Sequence, residues 1–218
     1  MISVPIVFDL DGTLIDSLQS VTKAANALLA QYGLAAIPET QVAGYVGLGE
    51  QVFIDKLIAD TALDASRRSS IMDDFIAHYV VVSKKTVLFE GVIEMLTRFQ
   101  ERGIPMGLCT NKPMAALKPV LEATDMARFF NVVVAGDSYA VRKPDALPLN
   151  ACFDELGGHG VYVGDSPVDA QTALNAKVPF ALFSEGIRTV PVTEIPHDAL
   201  FDDMSALDAI YDRLSKSL

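Results

Sequence analysis

The sequence predicts an α/β fold, a doubly wound parallel sheet with a Rossmann-like core and an inserted, all-helical cap. Three observations predict it. From Leu88 onward, short apolar runs alternate with segments of helical periodicity, the order required by a parallel sheet covered on both faces. Residues 15 to about 87 carry helical patterns alone. The apolar run that begins at Val4 stops abruptly at two carboxylates, Asp9 and Asp11, and the following Gly12-Thr13 breaks the strand. Both acids therefore stand at the carboxyl end of a buried strand, where open α/β sheets bind ligands.

After that strand, Asp16 or Ser17 is placed to cap a helix reaching about residue 31, with Val21, Ala24, Ala25, Leu28 and Leu29 at helical spacing. Gly33 and Pro38 end it. Helices around Glu50 to Asp60 and Arg67 to Val82 follow. Beyond Leu88 come a helix near 91–102, a strand at 104–109, a helix at 114–124, a strand at 131–135, a helix at 145–156, a strand at 161–164, a helix at 167–176 and a strand at 179–183. Ser205 and Asp208 have the spacing of a capping box opening a last helix, with Leu207, Ile210, Tyr211 and Leu214 on one side. Residues 1–14 and 88–218 are thus expected to form the core, and 15–87 an insertion that leaves and re-enters beside Asp11, placed to act as a lid.

The chain has 218 residues, of which 50% are hydrophobic, enough for a packed core. It shows no apolar run near the roughly 20 residues that a membrane span needs and no secretory leader, so a cytoplasmic protein without membrane partners is expected. The net charge of −11 repels nucleic acid, and no cluster of Lys or Arg offers a local exception. Cys109 and Cys152 lie in a strand and a helix without ligand-like neighbours, and are expected in the core. Nothing in the pattern sets the oligomeric state.

Asp9 and Asp11, separated only by Leu10, can serve one site from one backbone turn, one as nucleophile and the other as proton donor. A calcium loop would need glycine at its sixth position and a bidentate acid at its twelfth; the chain has Leu14 and Ser20 there. Asp9-Leu-Asp11-Gly-Thr13 resembles the first motif of the haloacid dehalogenase superfamily, magnesium-dependent phosphotransferases that work through an aspartyl phosphate. The other motifs follow in order: Thr110-Asn111 after an apolar run, Lys143 in Arg-Lys-Pro-Asp, and Asp165 to Asp169 in Gly-Asp-Ser-Pro-Val-Asp after Val161-Tyr162-Val163. Four motifs in sequence are specific where any one is weak, and the resemblance spans essentially the whole chain.

The resemblance implies Asp9 as nucleophile and Asp11 as acid and base. It implies Mg2+ held by Asp9, Asp165 and the backbone carbonyl of Asp11. Thr110, Asn111 and Lys143 would bind the phosphoryl group, and Asp169 would orient metal-bound water or Lys143 or, equally, stabilise a helix N-terminus. Arg142 reads as a surface cation. In the insertion, Gly44 to Glu50 has the wrong spacing for a dinucleotide loop and follows no strand. It reads either as an ordinary interhelical turn or, equally, as a cap loop in which Tyr45, Gly47 and Gly49 are candidates for contact with the non-phosphate end of a small phosphorylated metabolite. Within the superfamily the motifs look most like those of phosphoglycolate phosphatases. Sugar phosphates, nucleoside monophosphates, pyrophosphate, phosphomutase chemistry and a non-catalytic aspartyl-phosphate module remain as alternatives, because the motifs recognise phosphate and not what it is attached to.

Overall fold

The computed structural model describes residues 4–218. Strand β1 (Ile6–Phe8) is buried along its whole length and pairs in parallel with strands on both sides, β4 (Met106–Cys109) and β6 (Val161–Gly164). Beyond β4 lies β5 (Val132–Val134). Beyond β6 lie β7 (Phe180–Phe183) and β8 (Ala199–Phe201), which completes a six-stranded sheet in the order β5-β4-β1-β6-β7-β8. The chain builds outward from β1 in one direction and then returns to build in the other. The carboxyl ends of β1 and β6 therefore flank the point where strand order reverses, and a crevice opens there.

Alternation along the strands sorts their side chains onto two faces. Ile6, Phe8, Leu108, Val161 and Val163 enter one apolar cluster, packed by α5 (Val92–Glu101), α6 (Met114–Thr124) and α9 (Leu207–Leu214). Val7, Cys109, Tyr162 and Leu182 enter the other, beneath α7 (Leu147–Glu155) and α8 (Pro167–Ala176). Both cysteines are free and buried. The doubly wound parallel sheet is thus present as the sequence predicts.

Between β1 and α5 the chain forms β2 (Ile15–Asp16), the helices α1 (Leu18–Gln31), α2 (Glu39–Ala43), α3 (Glu50–Asp60) and α4 (Arg68–Ser83), and β3 (Val87–Leu88). Helix α1 packs against α4, and Phe53, Phe75 and Tyr79 stack in series beneath them. The block enters and leaves through one antiparallel pair, Ile15 opposite Leu88 and Asp16 opposite Val87.

Four local expectations need correction. The segment 15–87 is not helical alone, because its ends pair as β2 and β3; two residues are too few to show a period. The sheet has an unexpected edge strand, β8, whose Leu200 is exposed. The Ser205 capping box does not form: Asp203 accepts the Ser205 N–H at 2.7 Å, while Asp208 turns to Arg98 at 2.7 Å. At α1 the N-cap is Ser17, yet its hydroxyl makes no capping bond.

Candidate active site

Asp9 is the first residue past β1, and its N–H donates to Val163 O at 2.8 Å, which ties it to β6. Its carboxylate is buried, and Oδ1 accepts from Lys143 Nζ at 2.7 Å. Lys143 reaches it from the loop between β5 and α7 and is buried too. The ammonium has three N–H donors, and all three are engaged: Asp9 Oδ1, Asp169 Oδ1 at 2.8 Å and the Tyr162 hydroxyl at 2.8 Å. Tyr162 in turn donates to Asp169 Oδ1 at 2.7 Å. In this arrangement Lys143 has no N–H left for a phosphoryl oxygen; it positions Asp9.

Asp169 combines the two roles between which the sequence left a choice. It sits in the first turn of α8 in a reciprocal capping box with Ser166, whose N–H and hydroxyl both donate to Oδ2, while Oδ1 serves Lys143 and Tyr162. Burial alone would raise its pKa; Lys143 and the hydrogen bonds from Ser166 and Tyr162 outweigh that and lower it. Asp165, at the end of β6, is fully buried and accepts from Thr13 Oγ1 at 2.9 Å and from the Ile187 N–H at 2.8 Å. A Cβ at Gly12, where φ is +92°, would come within 2.3 Å of Asp165 Oδ2, so no side chain fits where the first turn crosses this carboxylate.

Burial dominates the electrostatics of the other two acids. It pushes Asp9 up to about 7, with Lys143 opposing and Asp169 adding to the rise. Asp165 is raised well above the usual range by burial, then by Asp169 and Asp9. One lysine does not balance three buried carboxylates whose oxygens lie within 4.8 Å of one another. A divalent cation with a preference for oxygen fits this set. Asp9 and Asp165 are the carboxylates suited to hold it, since each Asp169 oxygen already accepts two or more hydrogen bonds, whereas among the described residues each Asp165 oxygen accepts one and Asp9 Oδ2 none.

In front of Asp9 lies a cavity of about 70 Å³, roofed by the helical block. Asp9, Asp11, Thr110 and Asn111 form its floor, and Tyr45, Gly47, Gly49, Glu50 and the aromatic rings of α3 and α4 its roof. Thr110 follows β4 and is buried, its Oγ1 accepting from the Lys112 N–H at 3.1 Å. Asn111 departs from its expected role as a phosphoryl donor through its side chain. Nδ2 donates to Gly47 O and to Lys143 O, both at 3.0 Å, and Oδ1 accepts from the Lys143 N–H at 3.0 Å. The amide is consumed in clipping the roof to the Lys143 loop.

Arg142, a surface cation in the sequence reading, belongs to this closure. Arg142 Nη2 lies 3.1 Å from Glu50 Oε1, and the Glu50 side chain is only 9% exposed, so Arg142 joins core to roof and is not a free surface cation. Gly49, with φ +85°, caps α3 where a Cβ would meet Arg142 Nη1 at 3.1 Å and Asn111 O at 3.2 Å. Lys112, directly after Asn111, is a residue that the motifs do not single out, and its Nζ lies 2.6 Å from both oxygens of Asp11. Burial works against the charge on Lys112, but Asp11 and Tyr79 outweigh it and raise its pKa. The Tyr45 hydroxyl is bound to Asp60 at 2.5 Å, so it is the ring that lines the cavity.

A doubly wound sheet with an acid pair at the end of its central strand, and a helical block threaded in directly after that pair, defines a class of hydrolase. The family model of the haloacid dehalogenase-like hydrolases matches residues 6–183, and the chain belongs to that family. It is an enzyme, a phosphoric monoester hydrolase, similar over nearly its whole length to phosphoglycolate phosphatases. Identity is 38% to the phosphoglycolate phosphatase of Cereibacter sphaeroides, over 96% of this chain and 98% of that protein. It is 36% to that of Rhodobacter capsulatus, over 94% and 95%. A solved structure described as a predicted phosphoglycolate phosphatase from Haemophilus somnus superposes with a TM-score of 0.89 at 25% identity, over 96% of this chain and 98% of that one. Among the described residues no helix is long and apolar enough to cross a membrane.

Proposed function

We propose that the protein hydrolyses 2-phosphoglycolate to glycolate and phosphate with Mg2+ bound, Asp9 carrying the phosphoryl group between the two half-reactions. The observation that carries this reading is the buried Asp9 carboxylate, fixed by Lys143 at 2.7 Å and facing a cavity of about 70 Å³ lined on its other side by the helical block. Pockets for drug-sized ligands run to roughly 300–1,000 Å³, so a cavity of this size favours a substrate with only a few atoms beyond its phosphate.

Asp9 attacks phosphorus, forming an aspartyl phosphate as the ester P–O bond breaks, and Asp11, entering the step protonated on one oxygen while Lys112 keeps its bond to the other, gives that proton to the departing alkoxide. Asp11 then takes a proton from water, whose oxygen attacks the same phosphorus, releasing phosphate and restoring the Asp9 carboxylate. Magnesium, held by Asp9, Asp165 and the backbone carbonyl of Asp11, would neutralise charge on the transferring oxygens. Thr110 directs its hydroxyl proton to one of these oxygens, while Lys143 and Asp169 keep Asp9 in line. The chain's net charge of −11 makes that local positive field necessary for an anionic substrate. The cap excludes bulk water during transfer and places Tyr45, Gly47 and Gly49 over the non-phosphate end.

Phosphate release should be measured from 2-phosphoglycolate, sugar phosphates, nucleoside monophosphates and pyrophosphate, with magnesium and with excess chelator, for wild type and Asp9→Asn. The expected result is preference for 2-phosphoglycolate, silence in chelator and no turnover by Asp9→Asn. Full activity in chelator, or substantial turnover by the variant, would overturn the site; a sugar phosphate at the head of the ranking would overturn the substrate.

A further inference from the structure

Tyr79 projects from α4 into the cavity, and the chemistry above makes no use of it. It is 2% exposed, and its hydroxyl has no hydrogen-bond partner. A buried hydroxyl without a partner bears the full penalty of its lost water, so its position calls for a cause. Beside it stands Lys112, whose Nζ is 4.7 Å from the Tyr79 ring centroid and whose side chain is 8% exposed. An ammonium offers three donors. Two are directed at the Asp11 oxygens, each 2.6 Å away, and one remains.

The other side-chain donors on the cavity wall are committed or belong to the phosphoryl end. The Tyr45 hydroxyl is held by Asp60 and the Asn111 amide by Gly47 and Lys143, while Thr110 lies on the floor beside Asp9. Around Tyr79 and Lys112 the wall is apolar, formed by Val21, Val46, Phe53 and Phe75. Glu50 also lines it, but Arg142 at 3.1 Å neutralises that carboxylate.

We infer that the Tyr79 hydroxyl and Lys112 Nζ form a two-donor subsite for a carboxylate on the leaving group, one donor to each oxygen, which selects short phosphorylated hydroxy acids over phosphorylated alcohols. The inference rests on the phosphatase reading above, and its geometry follows from Asp11. To protonate the ester oxygen Asp11 must reach it, and Lys112 is bound to Asp11. In 2-phosphoglycolate a single methylene separates that oxygen from the carboxylate, so the carboxylate arrives beside Lys112. Tyr79 comes from the helical block and Lys112 from the core, so a carboxylate bound to both also bridges the two.

The test compares kcat/KM for 2-phosphoglycolate with that for ethyl phosphate, in which a methyl group replaces the carboxylate, in magnesium-loaded wild type and Tyr79→Phe. Phenylalanine keeps the ring stacked near Phe75 and removes only the unpaired oxygen, so the thermal midpoint should not fall. Loss of one hydrogen bond to a charged group should lower kcat/KM for 2-phosphoglycolate roughly 10- to 100-fold and leave ethyl phosphate within about twofold. If wild type prefers 2-phosphoglycolate and Tyr79→Phe retains the full preference, the subsite is refuted while the substrate reading stands. An equal loss on both substrates would place Tyr79 with the phosphoryl group and also refute it. If wild type does not prefer 2-phosphoglycolate to ethyl phosphate, the substrate reading fails and the subsite with it.

Discussion

Replacing Tyr162 by Phe removes a single oxygen atom from the middle of the buried polar network. That oxygen accepts from Lys143 at 2.8 Å and donates to Asp169 at 2.7 Å, two hydrogen bonds in which the partner is charged. Such bonds contribute about 1.5–3 kcal/mol each, and the variant no longer has a hydroxyl to desolvate, so the net loss should be about 3 kcal/mol. The ring remains packed 5.8 Å from Phe180. In a chain of this length that loss lowers Tm by roughly 6–12 °C. One Lys143 N–H then has no partner, the ammonium no longer holds Asp9 in a fixed direction, and kcat should fall about tenfold or more. KM should change little, because neither Tyr162 nor Lys143 lines the cavity. Thermal unfolding and steady-state phosphate release check both halves. A lowered Tm with kcat unchanged would show that catalysis does not need Lys143 so fixed, and a lowered kcat with Tm unchanged would show that the hydroxyl does not stabilise the network.

The link between core and roof gives a second expectation. Arg142→Ala strands the Glu50 carboxylate in a nearly closed environment, which should cost about 1–3 kcal/mol in urea unfolding, below the figure for a fully buried pair because Arg142 is 28% exposed. Adding Glu50→Gln should restore most of it, and no recovery would refute the pairing as its source. The raised Asp9 and Asp165 predict the pH behaviour of the chelated protein: the folded state keeps protons that the unfolded chain has lost above about 4, so stability should fall as pH rises from about 4 to about 7. Magnesium takes the carboxylate form and should therefore stabilise more at pH 8 than at pH 5. Denaturation at each pH with and without magnesium checks this, and an equal gain at both values would refute it.

The inner sheet was legible because β1, β4, β6 and β7 are buried on both faces and read as unbroken apolar runs, each followed by a polar residue, Asp9, Thr110, Asp165 and Ser184. Strand β8 escaped notice because Ala199-Leu-Phe is short and its middle residue faces solvent at the edge. The acids of the site were legible for a related reason: a carboxylate directly after a buried strand has few purely structural uses. What the sequence withheld were partners across the fold. Asn111 and Gly47 are 64 residues apart, and Lys112 and Asp11 are 101 apart, so only the folded chain shows that the amide is spent and the lysine engaged. Tyr162 is an intermediate case. With Val161 and Val163 facing one way, period two turns Tyr162 the other way, but nothing local says that its hydroxyl will meet Lys143.

The strand pair β2–β3 has a consequence for how such a chain can change. Leu14 and Phe89 bracket the helical block and are joined by one backbone hydrogen bond, Phe89 N–H to Leu14 O at 3.1 Å. More than seventy residues therefore depart and return at a single point, no wider than the gap between neighbouring strands. Nothing in the register of the six-stranded sheet depends on what lies between these two residues. Helices there can be lengthened, trimmed or exchanged as long as their ends meet at the same doorway and the contacts that Gly47 and Glu50 make with Asn111 and Arg142 are kept or replaced. The sheet with its acids and the helices that roof them can thus diverge at separate rates within one polypeptide.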